Sequence, residues 1–317
     1  MKKKYTITYK YFNHSLKNPI TIGTITITNR EGFYAILSNN QTIIGIGEIA
    51  PLPGLSTESI KSIKKELDQL PHIHIDSSHL NNPIPKFPII STTPSIQFGI
   101  ETALLMNLST TVTCQCHTFA SNLTDLPDLK NQSIVKYKIG RLETNQEVNI
   151  INDIITQFPN IKCRFDANNN FSLEEALTFF NQIPKKNIDY IEAPCKTIDE
   201  EKQLYLETQL PIAQDSPKKD FNIPSYSKNI IIKPTIMGSI ANYLAYLQQG
   251  KTLIFSASYE SIIGLSGIAY LSSIISPQEY HGLNTNHIFS GSSNKQLSTL
   301  TALTLQESIN WINNGYH

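Results

Sequence analysis

Five short segments carry charged side chains immediately ahead of a turn signal. They are Val135-Lys136-Tyr137-Lys138-Ile139-Gly140, Cys163-Arg164-Phe165-Asp166-Ala167-Asn168, Tyr190-Ile191-Glu192-Ala193-Pro194, Ile212-Ala213-Gln214-Asp215-Ser216-Pro217 and Ile231-Ile232-Lys233-Pro234. In order they supply base, acid, acid, acid, base. Asp166, Glu192 and Asp215 together make a set of hard oxygen donors, which suits Mg²⁺ with Mn²⁺ as a substitute. Histidine is absent from the set, which argues against zinc. A lysine crowded by cations, such as Lys138 beside Lys136 and near Arg164, has its ammonium form disfavoured and can serve as a base. A carbon-bound proton next to a carboxylate is far less acidic than an ammonium, and each pK unit of mismatch costs about 1.4 kcal/mol. A divalent cation on the substrate carboxylate closes that gap by stabilising the developing enediolate. The chemistry implied is metal-assisted proton abstraction from a small carboxylate.

Such residues need a scaffold that brings them together. Each segment sits where a buried strand would stop, and parallel α/β barrels collect their chemistry at the carboxyl ends of their strands. Side chains at i and i+2 share a face. Lys136 and Lys138 therefore point one way, as do Arg164 and Asp166, while Val135, Tyr137 and Ile139 face the helices. Buried charge of this kind needs partners or a metal. From residue 112 onward the pattern alternates, with strands expected at 112–117, 134–139, 161–167, 190–193, 212–215, 230–233, 252–256 and 280–283. Helices fill the gaps. Val148, Ile151, Ile155 and Phe158 repeat at helical spacing, and Ser172-Leu173-Glu174-Glu175 is a capping box. Further helices are expected at 239–250 and at 264–275, the latter stopped by Pro277. Repeated β-α units mean parallel strands with right-handed crossovers, and eight strands suggest a barrel.

The first 95 residues read as α+β, with strands at 5–11, 21–28, 32–38 and 42–48 and a hairpin turn at Arg30-Glu31-Gly32. A helix is expected over 56–70, capped by Ser56 or Thr57 and stopped by Pro71. A proline-rich, polar linker at 81–94 leads into a helix over 94–108. The tail, 297–312, reads as a helix returning to the first domain. The expected units are 1–95, 96–285 and 286–317.

A chain of 317 residues suits a large domain plus a smaller one. Its 26 basic and 26 acidic residues cancel and form no basic run, so a nucleic-acid partner is not expected. No apolar run approaches membrane-spanning length, and Met1-Lys2-Lys3-Lys4 leads into an alternating strand rather than a targeting core. The cytoplasm is the expected compartment, with no obligate protein partner. Cys114, Cys116, Cys163 and Cys195 form no Cys-x-x-Cys pattern and read as buried reduced thiols. A soft metal on Cys114 and Cys116 is the alternative. His14, His72, His74, His79, His117, His281 and His287 have no partner assignable from spacing and read as surface or core residues.

At these residues the chain resembles the enolase superfamily, and within it the o-succinylbenzoate synthases, dehydratases of menaquinone synthesis. The superfamily's pairing of a lysine base with Mg²⁺ is a known property of that group. The resemblance runs over nearly the full length. It is carried by Gly47-Glu48-Ile49-Ala50-Pro51-Leu52-Pro53-Gly54 and Pro94-Ser95-Ile96-Gln97-Phe98-Gly99, by the Lys-x-Lys and Arg-x-Asp-Ala-Asn motifs, and by Glu192-Ala193-Pro194-Cys195-Lys196-Thr197, Lys233-Pro234-Thr235 and Ser256-Ala257-Ser258-Tyr259-Glu260-Ser261. The Pro-Cys-Lys-Thr run favours this dehydratase over the racemases and lactonising enzymes that share the barrel. The resemblance implies a modified TIM barrel, (β/α)7β, with an N-terminal α+β capping domain completed by the C-terminal tail. It implies Lys138 as the base and then the acid of a syn elimination. Lys233 is implied across the barrel on the enediolate, with Lys136 and Arg164 tuning charge. Asp166, Glu192 and Asp215 are implied as Mg²⁺ ligands. Ser256 and Gly282 are implied at the succinyl arm, with Ser258 and Asn168 as further substrate contacts and the 47–56 loop closing the mouth. Ala193, Ser216 and Asn284 depart from the family's usual acids, which bears on how the ligands are oriented.

Overall fold

The computed structural model describes residues 2–70, 72–76, 87–108, 111–120, 123, 129–215, 222–293, 296 and 298–314. Pro71 as a helix stop, the 81–86 part of the linker, His79, Ser216 and Leu297 lie outside the described residues.

The chain opens with two long strands, β1 (Lys2–Ile22) and β2 (Ile25–Asn39), then β3 (Thr42–Ile49), helix α1 (Ile60–Leu67) and β4 (His72–Asp76). The four strands form an antiparallel sheet in the order β3-β2-β1-β4. The hairpin turn falls at Gly23, which has φ +59, and not at Arg30-Glu31-Gly32. Residues 30–32 lie in mid-strand: a Cβ on Gly32 would stand 2.4 Å from the Ile49 carbonyl oxygen. The glycine that suggested a turn is there for close packing instead. Helix α1 starts later than expected, because Ser59 rather than Ser56 or Thr57 makes the capping box, with Ser62.

Helix α2 (Pro94–Leu108) packs on β3 and leads to the barrel. The first barrel strand is interrupted at His117, giving β5 (Thr113–Cys116) and β6 (Thr118–Ala120). There follow β7 (Ile134–Lys138), α3 (Thr144–Gln157), β8 (Lys162–Asp166), α4 (Leu173–Phe180), β9 (Ile188–Glu192), α5 (Ile198–Thr208), β10 (Ile212–Asp215) and β11 (Ser227–Ile232). Then come α6 (Pro234–Met237), α7 (Ala241–Gln248), β12 (Thr252–Phe255), α8 (Ile262–Ile275) and β13 (Tyr280–His281). The strands from β6 to β12 are paired in parallel succession. A bridge between Ser256 and Gly282 joins β12 to the β13 segment, and β13 pairs with β5. The ring is thereby closed with eight strand positions, β5/β6 being first and β13 last, which is the expected (β/α)7β barrel.

The elements form for local reasons. Ser172 and Glu175 make the expected capping box of α4, and Thr197 and Glu200 make another at α5. Tyr137, Phe165, Phe179 and Phe180 fill the layer between barrel and helices. Helix α8 is apolar on most sides because it is enclosed: one core runs from Phe33 and Ile46 through α2 to Leu265 and Ile268. The tail adds β14 (Thr299–Thr301), antiparallel to β5, and α9 (Leu305–Asn314), whose Ile312 joins the same core. Among the described residues, no helix is long and apolar enough to cross a membrane.

Candidate active site at the barrel mouth

Strand geometry sets the positions. Lys136 and Lys138 lie on the second strand, β7. Asp166, Glu192 and Asp215 end β8, β9 and β10, the third to fifth strands. Lys233 follows β11, the sixth, so Lys138 and Lys233 stand half a ring apart with the three acids between them. All six line one cavity of about 540 Å³. Ser256, Ser258, Gly282 and Asn168 line it as well. The chain turns sharply around this rim: Asn168, Asn169, Ala193 and Tyr259 have φ of +49, +58, +46 and +62. Non-glycine residues in that region are held there by their surroundings, and such positions cluster at functional sites.

The charges are paired. Lys136 Nζ lies 2.6 Å from Glu192 Oε2 and 3.0 Å from Asp166 Oδ2. Lys138 Nζ lies 3.2 Å from the same Asp166 oxygen and donates to Asn168 Oδ1 at 3.2 Å. Lys233 Nζ donates to both oxygens of Asp215, at 2.8 and 2.6 Å. Burial works against the charge on Lys136, but Glu192 and Asp166 outweigh it and raise its pKa. Burial likewise pushes Asp166 up, and Lys136 and Lys138 more than reverse this, leaving it below the ordinary value. Burial pushes Glu192 up to about 7 against the pull of Lys136, with Asp166 and Asp215 adding to the rise.

Two expectations change. The cation beside Lys138 is offset: Lys136 and Lys138 both reach the same Asp166 oxygen, so a carboxylate stands between the two amines. Arg164 does not line the cavity. Its Nε donates to Asp189 Oδ2 at 2.7 Å, its Nη1 to the Tyr280 carbonyl at 2.6 Å and to His117 Nδ1 at 2.9 Å, and its guanidinium lies 4.7 Å from the Tyr190 ring centre. Alternation along the strand fixed the inward face of Arg164 but not its direction along the barrel axis.

The mouth is also wider in origin than expected. Leu52 and Leu55 of the 47–56 loop line the cavity, and so do Ile20 and Ile22 at the β1–β2 turn. That turn had read as the start of a strand. His117 and His287 line the cavity too, although both had read as surface or core residues. The four cysteines are buried and free.

The donor set fits Mg²⁺ in its chemistry. Three carboxylate-bearing strand ends share one wall, and the mutual repulsion that raises Glu192 is what a divalent cation relieves. The set is not a closed cage. Asp215, with a third of its side chain exposed, is turned to Lys233, and among the described residues no group of three His, Cys, Asp or Glu side chains is gathered around one point. Mg²⁺ commonly uses one or two carboxylates and keeps water or substrate oxygens for the rest.

Comparison with known proteins identifies the chain's relatives. The family described as "MenC, N-terminal domain" matches residues 3–107. The o-succinylbenzoate synthase of Pasteurella multocida (strain Pm70) is 30% identical over 264 residues, 76% of this chain and 77% of that protein. That of Haemophilus influenzae (strain Rd) is 29% identical over 278 residues, 82% and 83% of the two chains. In fold, the chain is similar to the o-succinylbenzoate synthase of Thermosynechococcus elongatus BP-1 complexed with Mg in the active site. The TM-score is 0.74 at 21% identity, covering 97% of this chain and 99% of that one. It is also similar to a dipeptide epimerase of Methylococcus capsulatus complexed with Mg and L-Arg-D-Lys, with TM-score 0.73, 14% identity and coverage of 95% and 98%.

Proposed function

The chain belongs to the o-succinylbenzoate synthase family of the enolase superfamily, and on that premise we propose that it catalyses the syn dehydration of 2-succinyl-6-hydroxy-2,4-cyclohexadiene-1-carboxylate to o-succinylbenzoate in menaquinone biosynthesis. The observation that carries the reading is the ring order: one amine on the second strand, one after the sixth, and three carboxylates on the strands between, all open to one cavity. A flat carboxylate lying between the amines has its two faces addressed by different lysines.

In this reading Asp166, Glu192 and Asp215 hold Mg²⁺, or Mn²⁺ in its place, and the bound ion supplies positive charge where the substrate carboxylate becomes an enediolate. Lys138, free of its proton, takes the hydrogen from the ring carbon bearing the carboxylate. The electron pair moves into the carboxylate, giving the enediolate. The enediolate then collapses: its electron pair forms the ring double bond to the carbon bearing the hydroxyl as that C–O bond breaks. The same amine, now an ammonium, gives its proton to the departing hydroxyl on that face, so one water leaves and Lys138 ends neutral as it began. Lys233 faces the ring from the other side and balances the developing negative charge, with a cation–π contact. Lys136 pairs with Asp166 and Glu192 and holds both carboxylates in place. Ser256, Ser258, Gly282 and Asn168 contact the substrate. Residues 1–95 act as the lid, 96–285 carry the chemistry and 286–317 tie the two together. The substrate is small and the compartment we propose is the cytoplasm.

Purified protein with saturating Mg²⁺ is expected to convert the cyclohexadiene to o-succinylbenzoate, and chelation to stop it. No turnover with saturating metal would remove the assignment. Incubation of N-succinylamino acids or dipeptides in deuterated water tests the racemase alternative: exchange of the α-proton without loss of water would favour it.

A further inference from the structure

His117 is a buried side chain of the cavity that this mechanism leaves unused. It occupies the break between β5 and β6. Its backbone N–H donates to the His281 carbonyl at 3.0 Å and its carbonyl accepts from Asn284 Nδ2 at 3.3 Å, so the strands on either side hold it in position. The residue is only 5% exposed, yet it lines the cavity. Arg164 Nη1 lies 2.9 Å from its Nδ1. A guanidinium has no acceptor to offer, so Nδ1 takes the hydrogen bond and the ring proton resides on Nε2. Among the described residues no protein acceptor meets that Nε2–H. A Cβ on residue 282 would stand 3.2 Å from Nε2 and 3.1 Å from Ser256 Oγ, so Gly282 keeps open the space between these two polar groups. Burial, then the charges of Arg164, Lys136 and His281, hold the ring well below the ordinary histidine value and keep it neutral.

We propose that His117 Nε2–H donates to the carboxylate at the end of the substrate's acidic arm, and that Arg164 is the positioning residue that fixes the tautomer and polarises the ring. The choice of carboxylate follows from ring order. The substrate's reacting carboxylate belongs with the acids on the third to fifth strands. His117 is on the first strand, beside the eighth, across the barrel from them. A ligand that spans the cavity therefore brings its second acidic group to His117. This rests on the dehydratase reading for the identity of the arm.

Two measurements test it. Nitrogen-15 NMR of histidine-labelled wild-type protein is expected to show His117 with its proton on Nε2, and that signal is expected to move when o-succinylbenzoate is added. A proton on Nδ1, or a signal that does not move while the product binds, would overturn the proposal. In kinetics, His117→Phe is expected to raise KM about tenfold, the size of one hydrogen bond to a charged group, with kcat within about threefold. It is expected to weaken binding of o-succinylbenzoate more than that of the analogue whose arm ends in a methyl ester, because the ester carbonyl is an uncharged and weaker acceptor. Equal losses for acid and ester, or an unchanged KM, would overturn the role. Wild-type protein that fails to dehydrate the cyclohexadiene would instead strike the functional reading, while the tautomer measurement would still report on the Arg164–His117 pair.

Discussion

Lys136 touches two carboxylates at once and is almost closed off from solvent, so its charge serves structure as well as reaction. Removing one partner of a buried ionic group leaves the others uncompensated, a loss of about 3–5 kcal/mol. In metal-free protein, Lys136→Met is expected to lower unfolding stability by about that amount in urea denaturation. Lys138 has a different balance, with its amine partly open to the cavity. Lys138→Ala is expected to lower kcat by about a thousandfold while the melting temperature moves little. A parallel fall in both would mean that Lys138 is structural. Lys138, Lys233 and the three acids were legible in the sequence because each stands just before a turn signal, Gly140, Pro234, Asn168, Pro194 or Pro217. His117 was not legible. The residue that gives it meaning, Arg164, is 47 positions away, and no local pattern marks a break in a strand as a place for a cavity histidine.

At the scale of elements, the N-terminal sheet is bound to the barrel through backbone carbonyls gathered by one side chain. Arg30 of β2 donates to Ala50 at 2.9 Å and Pro51 at 2.7 Å on the N-terminal side, and to Ser258 at 3.3 Å and Tyr259 at 3.0 Å on the barrel side. Ala50 and Pro51 lead directly into the segment that bears Leu52 and Leu55. Arg30→Met is expected to cost about 3 kcal/mol, since buried carbonyls lose their donor. It is also expected to raise KM more than it lowers kcat, and to speed proteolysis between residues 50 and 56. A stability loss with unchanged KM would mean that the clamp does not hold the mouth. The sequence located the strands of the barrel to within a few residues, because short apolar runs between helical repeats leave few alternatives. It misplaced the first hairpin because Arg-Glu-Gly looks like a turn, whereas Arg30 and Gly32 answer to packing with partners distant in sequence.

For the whole molecule, two buried carboxylates tie together elements distant in sequence, and the first of them joins the N-terminal sheet to the barrel. Glu48 of β3 accepts from Ser261 N at 3.0 Å and Gly264 N at 3.2 Å at the start of α8. Glu101 of α2 accepts from Ile240 N at 2.7 Å and Ser239 Oγ at 2.6 Å ahead of α7. Burial pushes both carboxyls from an ordinary 4.5 up to about 7, against hydrogen bonds that favour the anion. The folded protein therefore retains protons that the unfolded chain has released. The stability this provides is fully present below about pH 4.5 and is lost as pH rises through about 7. Melting temperature is expected to fall across that window, and the Glu48→Gln/Glu101→Gln double variant to flatten the fall. An identical slope in the variant would assign the dependence to other groups. Neither residue's role was readable beforehand, because each caps a helix about 140 to 210 positions further on. A related consequence concerns synthesis. β5 opens the barrel, but both of its edges are met by strands translated far later, β13 on one side and β14 on the other. A nascent chain on the ribosome thus carries a strand with both edges unpaired until β13 emerges, and with one unpaired until β14 does. Chaperone capture of stalled chains, stronger before Thr299 is released than after, is the expected signature of that delay.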